Sequence, residues 1–267
     1  MKKTTKNKFG QYFTPDIVAD FMIGLSTVKH DAEVLEPCCG EGVFLRHLAD
    51  KGFKNITAYE IDDSLSNLFF PNVNFRSFVS EDFDKQFDLV IGNPPYIRWQ
   101  HLEEDLKNEL IRNPLWNKYF NSLCDYLYIF ILKSIELLNE NGELIFICPE
   151  YWLNTTHSMT LRNYMMTHGY FEKIYHFNET PIFDKVTVSI IIFKFVKKKN
   201  HSKHKISLAK YYSVQKLTKD FLSALQNKQP QHDLEYSEIE QFKIGERWIL
   251  APDEIKNELK VFEKLAA

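Results

Sequence analysis

The part of this sequence best suited to chemistry is Asn93-Pro-Pro-Tyr96, which follows the apolar run Phe87 to Ile91 after one glycine. We interpret the run as a buried strand that delivers Asn93 to one edge of a sheet. Pro94 and Pro95 then fix two φ angles and remove two backbone donors, so the loop is stiff and presents carbonyl oxygens as acceptors. The segment therefore offers an amide side chain, free carbonyl groups and one aromatic ring at a fixed place.

These groups suit the transfer of a methyl group to a conjugated amine. The lone pair of an aryl amine is delocalised into its ring, which makes the nitrogen a poor nucleophile. Two acceptors for its hydrogens, the Asn93 side-chain oxygen and the Pro94 carbonyl, would favour a more tetrahedral nitrogen whose lone pair points at the methyl group. The proton can leave after the attack, so placement and electrostatics should supply most of the rate. Tyr96 can stack on a base held there, which contributes ~1–3 kcal/mol.

A second chemical feature is the glycine turn, Glu36-Pro-Cys-Cys-Gly-Glu-Gly42. Gly40 and Gly42 let the backbone pass close to a ligand, at the sheet edge where doubly wound folds bind their ligands. The third glycine of pyrophosphate-binding turns is absent, so a cofactor without a pyrophosphate fits better. Glu60 ends the next predicted strand and could accept hydrogen bonds from a ribose diol. Asp82, after the third strand, could reach an adenine amine.

The alternation of strands and helices around these motifs predicts an α/β fold with a mainly parallel, doubly wound sheet of seven strands. The last two strands follow each other without a helix, which predicts an antiparallel strand at an edge. The predicted strands are Glu33 to Glu36, Ile56 to Ile61, Asn74 to Phe78, Phe87 to Ile91, Glu143 to Cys148, Phe171 to Phe177 and Val186 to Val196.

Length and composition fit one globular domain with a substantial core, since 44% of the 267 residues are hydrophobic and 26% are charged. The N-terminus lacks the apolar segment of a secretory signal, and no apolar run is long enough to span a membrane. None of the four cysteines forms a Cys-x-x-Cys pair, and no histidine pair completes a zinc site. We therefore expect a cytoplasmic protein with free thiols, no bound metal and no membrane partner.

The formal net charge of −3 does not by itself indicate a nucleic-acid-binding protein, because such proteins usually carry a basic excess. Basic residues are nevertheless concentrated in Met1 to Lys8 and in Lys194 to Lys205. Runs of this kind are most often solvent-exposed tips or linkers. Contact with phosphates is the alternative, and the sequence leaves both interpretations open.

The order of the motifs resembles that of the gamma-class adenine-N6 DNA methyltransferases of restriction–modification systems. The resemblance covers roughly residues 9–196 and begins with the leader Gly10-Gln-Tyr-Phe-Thr-Pro15, which precedes the glycine turn, Glu60 and the Asn-Pro-Pro-Tyr loop. This chain departs from the family at Cys38, where the family usually has Ala, and at Glu41, where it often has Ser. The second departure places an extra acid near the cofactor.

The resemblance implies a Rossmann-like fold of the S-adenosylmethionine-dependent methyltransferases, with S-adenosyl-L-methionine as cofactor. It implies as substrate the N6 amine of an adenine that is flipped out of a specific site in double-stranded DNA, which protects host DNA in restriction–modification. Thr14 would contact the methionyl end of the cofactor, and Phe183 would pack against the flipped adenine, although most Phe residues belong to cores. The predicted catalytic residues are Asn93, Pro94, Pro95, Tyr96 and Phe183. The predicted cofactor-binding residues are Thr14, Glu36, Pro37, Cys38, Gly40, Gly42, Glu60, Ile61, Asp82, Phe83 and Asn93.

Other functions stay open. Glutamine-N5 protein methyltransferases also carry Asn-Pro-Pro-Tyr, but they typically have a helical N-terminal domain that the 32 residues before the first strand cannot hold. Methylation of adenine in RNA is a minor alternative. A non-catalytic, cofactor-binding subunit of a restriction complex is the alternative outside enzymes, and the intact Asn93 and Tyr96 argue against it.

We expect residues 1–199 to form the catalytic, cofactor-binding domain, and residues 200–267 to be a C-terminal extension or the start of a linker to a DNA-recognition domain. The polar segment Gln226 to Glu240 is typical of a linker. About 70 residues after Val196 are too few for the recognition domain that the family normally has. Recognition would then come from a continuation of the chain past Ala267, which we favour, or from another chain.

Overall fold

The computed structural model of the chain describes residues 11–68, 73–183, 188–199, 204–252 and 254–258. The helices are α1 (Asp16–Ile23), α2 (Val43–Asp50), α3 (Glu104–Arg112), α4 (Pro114–Tyr119), α5 (Tyr126–Leu137), α6 (Met159–His168) and α7 (Lys219–Gln226). The strands are β1 (Glu33–Glu36), β2 (Asn55–Glu60), β3 (Val73–Phe75), β4 (Phe87–Gly92), β5 (Leu138–Pro149), β6 (Gly169–His176), β7 (Ile190–Lys197), β8 (Ile206–Tyr211) and β9 (Leu234–Ile239).

One sheet with the order β3-β2-β1-β4-β5-β7-β6-β8-β9 contains all nine described strands. The five strands from β3 to β5 in this order are parallel, and β6 and β8 run in the same direction. β7 is antiparallel to both of its neighbours, and β9 is antiparallel to β8. The predicted parallel, doubly wound architecture is therefore confirmed, whereas the predicted number of seven strands was too low.

We predicted that one of the last two strands, β6 or β7, is antiparallel at an edge. β7 is the antiparallel one, and it lies inside the sheet because β6, β8 and β9 follow it in the strand order. The antiparallel strand at the edge is β9, in a segment that we predicted to be a linker. Its side chains are mostly half-buried or exposed, and only Ile239 is fully buried. An edge strand of this kind needs few apolar residues, which is why its sequence resembles a polar loop.

The switch point of the sheet lies at β1, whose neighbours are β2 on one side and β4 on the other. In such sheets the crevice at the carboxyl ends of the strands binds the ligand. The glycine turn follows β1, and Asn93 follows β4. The two motifs singled out in the sequence are thus neighbours because β1 and β4 pair in parallel, with Val34 opposite Leu89.

Two helices that we did not predict, α3 and α4, separate the Asn-Pro-Pro-Tyr loop from α5. The Asn113 side chain accepts hydrogen bonds from the backbone nitrogens of Leu115 and Trp116, and Pro114 occupies the first helical position. Both are recognised start signals for a helix. In α3 the residues Leu106 and Leu110 are buried and lie one turn apart, so the helical signal is present but short.

The C-terminal part of the described chain shares the sheet and the core of the rest. Trp248 is buried, stacks on Phe242 at 4.5 Å and meets the edge of Phe171 at 5.5 Å, and its backbone nitrogen donates to the Leu153 carbonyl at 2.9 Å. In a second apolar cluster, α7 packs against α1. The core therefore continues beyond residue 199, where we placed the end of the catalytic domain.

Two lysines of the basic run Lys194 to Lys205 have structural partners. Lys194 is fully buried in β7 and forms an ion pair with Glu143 at 2.8 Å. Lys197 donates to the backbone carbonyls of Glu136 and Leu138 at 3.0 and 2.7 Å. Phosphate contact is thereby excluded for Lys194, while residues 200–203 lie outside the described residues. Within the described ranges, no helix has the length and apolar character needed to cross a membrane.

Candidate active site

The glycine turn is shaped by two residues in the left-handed region and by one carboxylate. Gly40 has φ +52° and Gly42 has φ +74°, a conformation that glycine adopts without the steric cost of a Cβ. Glu60, at the end of β2, accepts hydrogen bonds from the backbone nitrogens of Gly40 at 2.7 Å and Asp62 at 2.9 Å. The acid predicted to bind a ribose therefore also holds the turn in place.

Glu36 is an acidic residue of the site whose carboxyl group lacks hydrogen-bond partners in the part of the chain that the structure describes. It is fully buried at the end of β1, and neither carboxylate oxygen has a hydrogen-bond partner among the described residues. Burial, together with repulsion from Glu60, raises the pKa of Glu36 well above its usual value. Because buried polar groups in proteins are nearly always paired, this carboxylate calls for a donor that the described chain does not supply.

A pocket lies between the glycine turn, the leader and the Asn-Pro-Pro-Tyr loop. Glu36 lies in its wall together with Glu60, so the pocket has an acidic side. Phe44 and Phe130 supply apolar surface. Of the predicted cofactor-binding residues, those that line this pocket are Thr14, Glu36, Pro37, Cys38, Gly40, Glu60, Ile61 and Asn93.

Three predicted cofactor-binding residues, Gly42, Asp82 and Phe83, do not line this pocket. Asp82 and Phe83 line a neighbouring cavity, and Ser77 and Phe78 line the pocket in their place. The reason is that β3 ends at Phe75, three residues earlier than predicted, so residues 77 and 78 are the ones that reach the edge of the sheet. We placed the end of this strand at Phe78, because its apolar pattern continues into the loop, and we expected the pocket residues just after that point.

Lys133 of α5 holds the loop that follows β3 and was not singled out in the sequence. Its ammonium group is buried and donates to the backbone carbonyls of Phe78, Val79 and Glu81 at 2.8, 2.9 and 2.5 Å. Burial lowers the pKa of Lys133 to about 8. A lone lysine in an apolar helix is the signal that could have identified it.

The Asn-Pro-Pro-Tyr loop is held by hydrogen bonds from three sides. The Asn93 amide nitrogen donates to the Tyr12 carbonyl at 2.6 Å, and the Cys38 thiol donates to the Asn93 carbonyl at 3.3 Å. The Tyr96 hydroxyl bonds to the Asn93 amide oxygen and to the Ile147 carbonyl. Burial raises the pKa of Tyr96 well above its usual value, so the hydroxyl stays protonated and acts as a donor.

Three aromatic rings meet beside this loop. The Tyr12 and Tyr96 rings are stacked, with centroids 5.6 Å apart and planes 19° apart. The Phe183 ring lies 5.8 Å from Tyr12 and 6.4 Å from Tyr96. The structure thus brings together Tyr96, which we assigned to the base from the chemistry of its loop, and Phe183, which we assigned on family resemblance. Tyr12, which lies two residues before Thr14 in the leader, was missed. Pro94 and Pro95 complete the loop, and Pro95 also lines the pocket.

The cysteines of the site are not activated thiols. Burial raises the pKa of Cys38 and of Cys39, and it raises the pKa of Cys148 to about 12. Since the thiolate is the reactive form, these three should be alkylated by iodoacetamide at pH 8 more slowly than in the unfolded chain. Mass spectrometry of native and denatured protein measures this, and equal rates would contradict it. No group of three or more metal-ligating side chains is found within the described residues.

Comparison with known protein families finds two matching models. The Eco57I restriction-modification methylase model matches residues 41–183, and the N-6 DNA methylase model matches residues 1–58. The type II methyltransferase M.HincII of Haemophilus influenzae is 41% identical over 264 residues, which are 98% of this chain and 50% of that protein. M.AccI of Acinetobacter calcoaceticus, also a type II methyltransferase, is 31% identical over 70% of this chain and 37% of its own. The chain therefore spans half the length of these relatives or less.

Solved structures share the fold at low sequence identity. A modification subunit of a putative type I restriction enzyme from Vibrio vulnificus has a TM-score of 0.62 and 13% identity, over 92% of this chain and 60% of that one. A putative class I S-adenosylmethionine-dependent methyltransferase from Listeria monocytogenes has a TM-score of 0.62 and 17% identity, over 85% of this chain and 74% of that one. The predicted Rossmann-like fold class is confirmed by these likenesses.

Proposed function

The chain belongs to the Eco57I restriction-modification methylase family, and on this premise we propose that it transfers a methyl group from S-adenosyl-L-methionine to the N6 amine of a flipped-out adenine in DNA. One observation carries the proposal. Asn93 lines the acidic pocket and also belongs to the loop whose Tyr96 ring lies beside Phe183. A cofactor site and a site for a planar base therefore share one amide side chain.

The residues of the pocket fit S-adenosyl-L-methionine, which supplies an electrophilic methyl group on a positively charged sulfur when it is bound. Glu36 is a buried, unpartnered carboxylate that a cation or an ammonium donor would satisfy. Glu60 carries further lone pairs beyond those used by Gly40 and Asp62, and these can accept hydrogen bonds from ribose hydroxyls. Ile61 and Phe78 offer apolar surface for an adenine ring.

The loop prepares the amine by hydrogen bonding alone. The Asn93 amide oxygen accepts from the Tyr96 hydroxyl in this structure, so an entering N6 amine would replace that hydroxyl, which keeps its bond to Ile147 at 2.8 Å. The Pro94 carbonyl would accept the second amine hydrogen. Both acceptors draw the hydrogens out of the plane of conjugation, and the lone pair becomes available. The proton leaves after transfer, so no strong base has to act before it.

A methyl-transfer assay tests the function. The purified chain would be incubated with S-adenosyl-L-methionine labelled in the methyl group and with unmethylated genomic DNA at low salt, and the DNA would then be digested to nucleosides. We expect label in N6-methyldeoxyadenosine. Cofactor binding without transfer to DNA would contradict the proposal and favour the non-catalytic subunit.

Selective recognition of the target would come from outside this chain, as a further domain or a second subunit. The described residues from Gln11 to residue 258 are occupied by one sheet, its helices and its core. We therefore expect this chain alone to bind DNA weakly and without sequence preference. Tight and selective binding of one short duplex by these 267 residues would contradict this part of the proposal.

Glu36→Gln tests the cofactor site. We expect about a tenfold loss of affinity for S-adenosyl-L-methionine, because a hydrogen bond to a charged group contributes about 1.5–3 kcal/mol. The raised pKa of Glu36 also predicts a pH dependence. The free carboxyl is protonated below that pKa and must ionise to pair with a cation, so affinity should rise with pH in the parent protein and less in the variant.

Isothermal titration calorimetry at several pH values measures both effects. Glu33→Gln is the matched control, since Glu33 lies at the other end of the same strand and pairs with Lys85 at the surface. The Glu36 variant should also be no less stable than the parent, because it removes an acid that is costly to ionise when buried. Unchanged affinity and unchanged pH dependence in Glu36→Gln would rule out this role.

A further inference from the structure

The face of Tyr96 that a substrate base would need is already covered. The Tyr12 ring is stacked on Tyr96 at 5.6 Å with nearly parallel planes, which is the arrangement that a bound base would adopt. Tyr96 and Phe183 are 6.4 Å apart and tilted by 59°, so the two rings are in contact and leave no parallel gap for a base between them. The space assigned to the adenine is filled by the chain itself.

We call the space beside Tyr12, Tyr96 and Phe183 the base slot. Its polar atoms also have hydrogen-bond partners within the chain. The Asn93 amide nitrogen donates to the Tyr12 backbone carbonyl, and the Asn93 oxygen accepts from the Tyr96 hydroxyl. An entering amine would therefore have to compete with the Tyr96 hydroxyl for the Asn93 oxygen. Tyr12 thus fills the slot in two ways: its ring covers the Tyr96 ring, and its backbone carbonyl accepts a hydrogen bond from the Asn93 amide nitrogen.

Tyr12 is well placed to leave this position. It belongs to a stretch, residues 11–15, that is neither helix nor strand, and its side chain is half-buried, whereas Phe183 is buried. The next residues of the leader, Phe13 and Thr14, line the cofactor pocket together with Tyr12. One short segment therefore borders both the pocket proposed for the cofactor and the site proposed for the base.

We infer that Tyr12 is a gating residue of the base slot: its ring lies where the adenine would stack and has to be displaced when the base enters. This inference rests on the proposed function, because it requires that the slot beside Tyr96 receives a base. It adds a third aromatic residue to the slot and connects base entry to the leader, which also lines the pocket proposed for the cofactor. If the leader backbone moved together with the Tyr12 ring, the Asn93 amide nitrogen would also lose its acceptor, the Tyr12 carbonyl.

Binding of a free nucleoside tests the gate without requiring a DNA target sequence. The probe is 2-aminopurine deoxyriboside, a fluorescent adenine analogue that is quenched when it stacks on an aromatic ring. The parent chain would be compared with Tyr12→Ala, which removes the ring, and with Tyr12→Phe, which keeps it. Tyr96→Ala, introduced into the parent and into Tyr12→Ala, shows whether the quenching comes from the slot.

We expect Tyr12→Ala to bind the nucleoside about tenfold more tightly than the parent, since the base no longer competes with a stacked ring of comparable contribution. Tyr12→Phe should bind like the parent, and Tyr96→Ala should remove binding in both backgrounds. Thermal unfolding of each variant shows whether the substitution has impaired folding. Tyr12→Leu is a further control, because it keeps an apolar side chain but cannot stack on Tyr96.

Equal or weaker binding by Tyr12→Ala would overturn the inference, and tighter binding by Tyr12→Phe would do the same. The methyl-transfer assay, run on the same proteins, distinguishes a failure of the gating inference from a failure of the proposed function. Transfer to adenine with no effect of Tyr12 would leave the proposed function standing and remove the gate. If no protein transferred a methyl group and none bound the nucleoside, both would fail together.

Discussion

Replacing Asn93 with alanine should lower the turnover of methyl transfer about 100- to 1,000-fold, the loss typical when one preorganised hydrogen-bonding group of a transition state is removed. Asn93 lies at the meeting point of the pocket, the Tyr12 carbonyl and the Tyr96 hydroxyl. Its oxygen is the acceptor that would make the amine nitrogen nucleophilic. Single-turnover kinetics with saturating cofactor measure this effect directly, since product release does not contribute.

The controls for this variant separate catalysis from folding. Asn93→Ala removes two internal hydrogen bonds, so its thermal unfolding has to be measured beside the parent. Asn74→Ala is the matched substitution, because the Asn74 amide donates to the Ala58 carbonyl at 3.1 Å and is placed away from the loop. We expect Asn74→Ala to lose stability at most and to keep transfer. Full activity of Asn93→Ala would show that the mechanism is wrong.

Replacing Trp248 with alanine should lower the free energy of unfolding by about 3–5 kcal/mol, the usual cost of removing a buried large aromatic side chain. Trp248 is 2% exposed and packs against both Phe171 and Phe242, whose rings also contact each other. The Arg162 guanidinium also lies over its ring, 5.9 Å from the centroid. Equilibrium unfolding in urea measures the loss.

The neighbouring residue supplies the control for this prediction. Ile249 is 41% exposed, and Ile249→Ala should change the free energy of unfolding by no more than about 0.5 kcal/mol, as at most surface positions. A large difference between the two variants would establish that the segment after β9 is part of the catalytic core. Equal and small effects would instead support a boundary near residue 199.

The sequence was sufficient for the parts of this protein whose conformation is decided by neighbouring residues. Prolines fix φ, glycines permit the left-handed region, and a continuous apolar run becomes a buried strand, so the positions of Asn93 and of the turn at Gly40 and Gly42 follow from local chemistry. The parallel sheet, its switch point and the family follow from the order of these elements. The predicted roles of Thr14 and Phe183 came from the family resemblance and not from local rules.

Contacts between distant residues were decided only by the tertiary structure. Tyr12 meets Asn93 across 81 positions of the chain, and no periodicity indicates such a contact. Ser77 and Phe78 replace Asp82 and Phe83 in the pocket because the end of a three-residue strand cannot be located from an apolar pattern.

The burial of charged residues depends in the same way on partners from other elements. Lys194 belongs to a run that resembles a solvated surface, yet Glu143 neutralises it inside the sheet. Glu36 is buried without any described partner, which only the folded chain reveals. Local rules determine which backbone shapes a segment can adopt. Which side chains then meet, and which charges stay unpaired, is decided by how these shapes pack.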